Sequence, residues 1–216
     1  MTIQEKKRHN RDILENERLQ AMLHFEKKYG GSGYNLICGV DEAGAGPLAG
    51  PVAAAAVIMP AGLTIAGVKD SKKLSEKKRD ELAQIIIEKA IAWHIALVEH
   101  DEIDEINILQ ARMKAMANAV AGLSPMANFA LIDGRSKPEL AIPSVTIEGG
   151  DAKSFTIACA SILAKVSRDA IMLGYHEKYP QYDFDRHKGY GTKAHIQAIK
   201  EHGASPIHRQ SFITRI

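Results

Sequence analysis

Residues 36–52 read Leu36-Ile37-Cys38-Gly39-Val40-Asp41-Glu42-Ala43-Gly44-Ala45-Gly46-Pro47-Leu48-Ala49-Gly50-Pro51-Val52, and their pattern decides the fold. The apolar run Leu36 to Val40 ends on two adjacent carboxylates, Asp41 and Glu42. A glycine-rich segment over 43–50 follows, and a second apolar run extends from Val52 to Met59. Two short apolar runs divided by a turn-forming segment predict a pair of strands, with an acidic pair at the end of the first. The glycines do not make a nucleotide loop. A dinucleotide-binding loop needs a helix directly after its glycines and a P-loop needs Gly-Lys-Ser/Thr, whereas Pro47 and a β-type run follow here. The segment is either bare backbone that can approach a polymeric ligand beside the carboxylates, or a flexible hairpin connection.

On the N-terminal side, Leu19, Met22, Leu23 and Tyr29 stand at loosely helical spacing in a polar stretch that Gly30-Gly31-Ser32-Gly33 interrupts. The expected organisation is a helical appendage and hinge over 1–33 ahead of one domain over 34–216. On the C-terminal side, Ser75 can cap a helix with Leu82, Ile85, Ile86 and Ala90 on one face, and Ile95 to Val98 reads as a strand. Ile106, Met113, Ala117 and Val120 mark a helix closed by Gly122, and Phe129 to Ile132 a strand that stops at Asp133-Gly134. Ser144 to Ile147 is the next strand, leading through Gly149-Gly150-Asp151 into a long helix that Pro180 ends. Thr192 opens a last helix and Gly203 closes it. Strands come first, and then helix and strand alternate. That order predicts an α/β fold with a mixed central sheet flanked by helices, and with helical N-terminal and C-terminal elements.

The chain has 216 residues with 28 Lys and Arg against 26 Asp and Glu, 45% hydrophobic and 25% charged, which is the composition of a globular domain. No apolar run approaches the ~18 residues of a membrane span, and residues 1–18 are polar where a signal peptide would be apolar. The expectation is a cytoplasmic protein without a membrane partner. Cys38 and Cys159 have no metal-type spacing and read as small core residues. Basic clusters at 6–11, 69–79 and 186–200 are either phosphate sites or solvated helix faces.

Asp41, Glu42 and Asp133 end strands, and Asp151 follows the loop after a third strand. In α/β sheets the ligand crevice lies beyond the carboxyl ends of the strands, where such groups would repel one another unless a cation were present. An all-oxygen set suits Mg²⁺ or Mn²⁺. Taken singly, Asp133-Gly134 is also a good turn and Asp151 a plausible helix cap.

Together the residues resemble the ribonuclease HII family. The matching segments are Gly39 to Gly44 with Gly46 to Val52, Asp70 to Leu74, Leu131 to Gly134, Gly150-Asp151, Ala160 to Val166 with Arg168-Asp169, Lys188 to Thr192, and His208-Arg209 with Ser211-Phe212. The resemblance implies a ribonuclease H-like catalytic domain over 34–216 that includes a C-terminal helical region. It implies cleavage of RNA in RNA–DNA hybrids and nicking 5′ of single ribonucleotides in duplex DNA, leaving a 3′-hydroxyl and a 5′-phosphate, by a monomer. Asp41, Glu42, Asp133 and Asp151 would be the catalytic, metal-binding carboxylates, holding two Mg²⁺ or Mn²⁺ ions with substrate bound. Gly44, Ala45 and Gly46 would read the 2′-hydroxyl, Tyr190 would stack on a sugar, and Lys72, Ser161 and Lys165 would contact phosphates. Asp169 is a rival to Asp151, 18 residues further on and, if the segment between is helical, too far for both to reach one metal pair. Asp151 is chosen because it follows a strand end as the other acids do. The family loop carries Arg or Lys where this chain has Ala45, so a basic group would have to come from elsewhere, with Lys69 and Lys73 the first candidates. Alternatives are another nuclease of the same fold, or a hybrid-binding protein with little turnover.

Overall fold

The computed structural model describes residues 2–214, so residue 1 and residues 215–216, at the outer limits of the two expected segments, lie outside it. Five strands form one mixed sheet in the order β3-β2-β1-β4-β5. The central strand β1 (Ile37–Ala43) pairs antiparallel with β2 (Val52–Ile58) and parallel with β4 (Phe129–Asp133). Strand β3 (Ala92–Val98) closes one edge antiparallel to β2, and β5 (Ser144–Ile147) closes the other parallel to β4. Every residue of β2 is buried, which is why its Val-Ala-Ala-Ala-Ala-Val-Ile sequence shows no alternation: both faces are covered.

Helix α4 (His100–Ala121) lies on one face, where Ile103, Ala115, Met116 and Ala119 pack on Cys38, Val40, Ala54 and Ala56. Helix α5 (Phe155–Lys178) lies on the other with α3 (Glu76–Lys89), burying Ala55 and Val57 under Phe155, Cys159, Ile162, Leu82 and Ile86. Gly39 explains how closely α5 approaches: a Cβ there would stand 2.1 Å from the carbonyl carbon of Thr156, so only glycine lets the β1 backbone touch the helix backbone.

The N-terminal segment is docked on this second layer. Helix α1 (Ile3–Met22) and helix α2 (His24–Gly30) bring Leu19, Met22 and Leu23 into the core beside α3 and α5. Polar ties add to this: Glu26 Oε1 accepts from Ser154 Oγ at 2.7 Å, Thr156 N at 2.9 Å and Thr156 Oγ1 at 2.9 Å, at the start of α5. The glycines at 30, 31 and 33 make the turn out of α2.

Strand β1 ends on its acids as expected, with Asp41 paired to Ala55 and Glu42 to Ala54, and runs one residue further to Ala43. Other boundaries differ from expectation. Helix α4 begins before Ile106 and is broken at Asn107, whose φ of 67° is left-handed and whose Oδ1 accepts from Leu109 N and Gln110 N, recapping the second half. The helix α7 (Lys193–His202), between Thr192 and Gly203, is not the last. A short α6 (Phe184–His187) precedes it and a single turn, α8 (Gln210–Ile213), follows.

Candidate active site

Successive residues of a strand point to opposite faces, so β1 sends Asp41 toward α5 and Glu42 toward α4. Asp41 faces Ser161 of α5, whose hydroxyl favours its ionised form, and its Oδ1 accepts the Glu42 N–H at 2.7 Å. Glu42 Oε1 meets Nη2 of Arg112, on α4, at 2.5 Å. Asp133, at the end of the adjacent β4, accepts the Gly150 N–H at 2.6 Å on Oδ1, which ties that strand end to the single 3-10 turn, Gly150–Ala152, that carries Asp151. Asp151 Oδ2 lies 3.8 Å from Lys72 Nζ. Lys72 sits on another short turn, Ser71–Lys73, whose first N–H groups are capped by Asp70.

Electrostatics reflect this crowding. Burial, then repulsion from Glu42 and Asp133, pushes the Asp41 carboxyl well above the usual carboxylate range. Burial also raises Glu42, with Asp133 adding to it and Arg112 opposing. Asp151 is raised by burial and by Asp70 and Asp133. Burial works against the charge of Lys72, but Asp151, Asp41, Asp70 and Asp133 outweigh it and its pKa rises. Asp41, Glu42 and Asp151 are thus destabilised as anions, and Lys72 is stabilised as a cation, in the same crowded site.

The donor set fits a hard divalent cation. It is made of carboxylate oxygens, and Glu42 Oε2 is buried without a hydrogen-bond partner. The four carboxylates do not form a tight cage. Among the described residues, the one trio of ligand-type atoms all within 4.8 Å of one another is His176, Asp183 and Asp185, near the far end of α5. Asp169 stands apart from the four acids, paired with Lys165 at 2.7 Å and Arg79 at 3.7 Å.

Two buried arginines shape the glycine loop. Arg209 donates to the carbonyls of Gly44 (2.7 Å), Ala45 (3.1 Å) and Gly50 (3.0 and 2.8 Å). Arg168 donates to those of Pro51 (3.0 Å), Ala49 (3.1 Å) and Lys188 (2.8 Å). With the carbonyls turned inward, the N–H groups of Ala45 and Gly46 have no acceptor among the described residues. Gly44, at φ 97°, makes the turn that allows this. Tyr190 is 45% exposed and lies beside Gly46.

Behind Tyr190, hydrogen-bond partners assign the tautomers of a histidine chain. His195 Nδ1 donates to the Tyr190 carbonyl (3.0 Å), so in the neutral ring its Nε2 is an acceptor. His208 Nδ1 accepts from Ser205 N (2.9 Å) and Oγ (2.7 Å), which leaves its Nε2–H to donate to His195 Nε2 at 3.0 Å. Both rings are neutral, and burial lowers their pKa values to about 4.

The residues expected to contact phosphates have the following surroundings. Ser161 is 4% exposed, shares a 2.9 Å hydrogen bond with Ser71 and lies beside the Asp41 carboxyl. Lys165 is engaged with Asp169 at the edge of an open groove lined by Arg79, Arg186, Lys188 and Tyr190 together with Glu76. Lys73 is taken by Asp70 at 3.6 Å. Arg112, the arginine that does reach the carboxylates, carries no signal in the sequence, since beside Met113 and Lys114 it reads as a solvated helix face.

A mixed sheet of this strand order, with acids from two adjacent strand ends and from the turn before a packed helix, is a ribonuclease H-like fold. The solved ribonuclease H2 of Pyrococcus horikoshii OT3 matches it at a TM-score of 0.68 and 27% identity, over 81% of this chain and 92% of that one. The family model described as Ribonuclease HII matches residues 38–215. Ribonuclease HII of Ruminiclostridium cellulolyticum is 51% identical over 208 residues, 96% of this chain and 80% of that protein. The counterpart in Dechloromonas aromatica is 59% identical over 177 residues, 82% of this chain and 90% of that protein. The chain belongs to the ribonuclease HII family, metal-dependent endonucleases that hydrolyse RNA in RNA–DNA hybrids, and it is an enzyme of that kind. No helix among the described residues is long and apolar enough to cross a membrane.

Proposed function

We propose that the enzyme cuts the RNA strand of hybrids and also nicks 5′ of a single ribonucleotide in duplex DNA, leaving a 3′-hydroxyl and a 5′-phosphate. The observation that carries this reading is the pair of unengaged N–H groups at Ala45 and Gly46, beside exposed Tyr190 and the carboxylates. Main-chain donors can read a 2′-hydroxyl, the group that distinguishes RNA from DNA at one position, without needing a run of ribonucleotides. Tyr190 offers its ring to the neighbouring sugar. Lys72 and the groove beside Lys165 hold backbone phosphates.

Asp41, Glu42, Asp133 and Asp151 would hold Mg²⁺ or Mn²⁺, two ions when substrate is bound. Such ions supply an activated water and charge stabilisation at the phosphate. The Glu42 N–H, Arg112 and the Gly150 N–H fix the orientation of Asp41, Glu42 and Asp133 in turn. Because water is the nucleophile, no side chain need be covalently modified.

The test is a duplex bearing one ribonucleotide, incubated with Mg²⁺ or Mn²⁺, with end-group analysis of the products. A cut 5′ of the ribonucleotide with a 3′-hydroxyl is expected. Cleavage confined to long hybrids, or undiminished in excess chelator, would overturn the reading.

A further inference from the structure

Arg112 belongs to none of the motifs, yet it makes the closest side-chain contact to the acidic group. It reaches from the second half of α4 to Glu42 on β1, Nη2 to Oε1 at 2.5 Å, with side chains only 27% and 11% exposed. The two oxygens of Glu42 are therefore unlike. Oε1 is taken by the guanidinium, and Oε2 is buried with no hydrogen-bond partner. A buried carboxylate oxygen left unsatisfied is costly, and native proteins tolerate one where an ion or water completes it. An arginine also resists losing its charge beside acids, so it can offset their repulsion at any working pH. The loop at Ala45 brings no cation, and Lys73 is held by Asp70.

We infer that Arg112 is a positioning residue for the metal site: by occupying Oε1 it fixes the rotation of the Glu42 carboxylate and presents Oε2 as the single oxygen for a cation. This rests on the carboxylates being the metal site, as proposed above. Partners that orient a metal ligand from behind typically contribute 10- to 100-fold in metal affinity or activity.

The experiment is titration of Mn²⁺ into the full-length protein, followed by calorimetry or by the paramagnetic resonance of free Mn²⁺, for the unaltered protein, Arg112→Ala and Arg112→Lys. Arg112→Ala should bind Mn²⁺ roughly 10-fold or more weakly. Its kcat should fall by a similar factor with KM for duplex little changed. Arg112→Lys keeps the charge but not the planar fork, and should recover part of the affinity. If Arg112→Ala folds poorly, Arg112→Lys decides alone, with a several-fold loss expected. Affinity equal to that of the unaltered protein in either variant would overturn the inference. So would tighter binding, which would make the guanidinium a competitor of the metal. If the unaltered protein takes up no Mn²⁺, the metal reading itself falls; normal uptake there with unchanged affinity in the variants would sink only the role of Arg112.

Discussion

Burying Asp41 next to Glu42 and Asp133 raises its pKa, and the sign of that shift fixes how the metal-free protein responds to pH. A carboxyl whose folded pKa lies above its unfolded value of about 3.9 contributes its full stability below that value and loses it as pH rises through the folded pKa. Without metal, the ionised cluster therefore weakens the fold at neutral and alkaline pH. Asp41→Asn in chelator should melt higher than the unaltered protein at about pH 8 and close to it at about pH 4, while cleavage drops at least ~100-fold. Melts at both pH values with a hydrolysis assay check the pair of outcomes; a lower melting point at the higher pH would remove Asp41 from a repulsive cluster. Ala45 poses the converse question. Its carbonyl is held by Arg209, so a larger side chain leaves the loop backbone as it is. Ala45→Arg should add a charge-assisted contact to phosphate of about 1.5 to 3 kcal/mol, on the order of 10- to 100-fold in kcat/KM on hybrid, with the metal requirement unchanged. A flat or reduced rate would mean that the site is balanced around alanine.

Helix α5 and the segment around Arg209 act on the catalytic strand from either side, and neither is local to it. Arg209→Met should leave the carbonyls of Gly44, Ala45 and Gly50 without their donor, costing about 3 kcal/mol or more and disturbing the N–H groups offered to the ribonucleotide. Denaturant unfolding should show the loss, and KM for a single-ribonucleotide duplex should rise more than any change in metal affinity; equal effects on both would place Arg209 in the metal site. The elements themselves were largely legible. Apolar runs closed by acids marked β1 and β4, β5 was placed residue for residue, and Ser75 and Thr192 do cap α3 and α7. What the sequence hid has a common physical cause. Arg168 and Arg209 are charged residues buried mainly on carbonyls more than 100 positions away, against the rule that such residues are solvated. The break in α4 depends on Asn107 adopting a left-handed conformation that no periodicity reveals. Arg112 matters only because α4 crosses the end of β1, which is a fact of packing and not of spacing.

Over the whole molecule, the histidine chain makes the C-terminal lobe sensitive to acid. Burial lowers His195 and His208 to about 4, below the unfolded value of 6.5, so the unfolded chain binds more protons between these limits and stability falls as pH drops through that window. The slope is up to about 1.4 kcal/mol per histidine for each pH unit. Melting followed from about pH 7 to 4 should show it, and the slope should shrink in His208→Gln; an unchanged slope would mean the loss comes from elsewhere in the protein. The bracing of the glycine loop by Arg209 has a further consequence, for the order in which the molecule is made. The arginine that shapes Gly44 is synthesised 165 positions after it. At ~5 to 20 residues per second, a ribosome takes roughly ten to thirty seconds to cover that interval. During it Asp133 and Asp151 are added to Asp41 and Glu42, while the loop carbonyls still lack the guanidinium that turns them inward. The loop beside the acids therefore takes its final shape only after all four of them have been made.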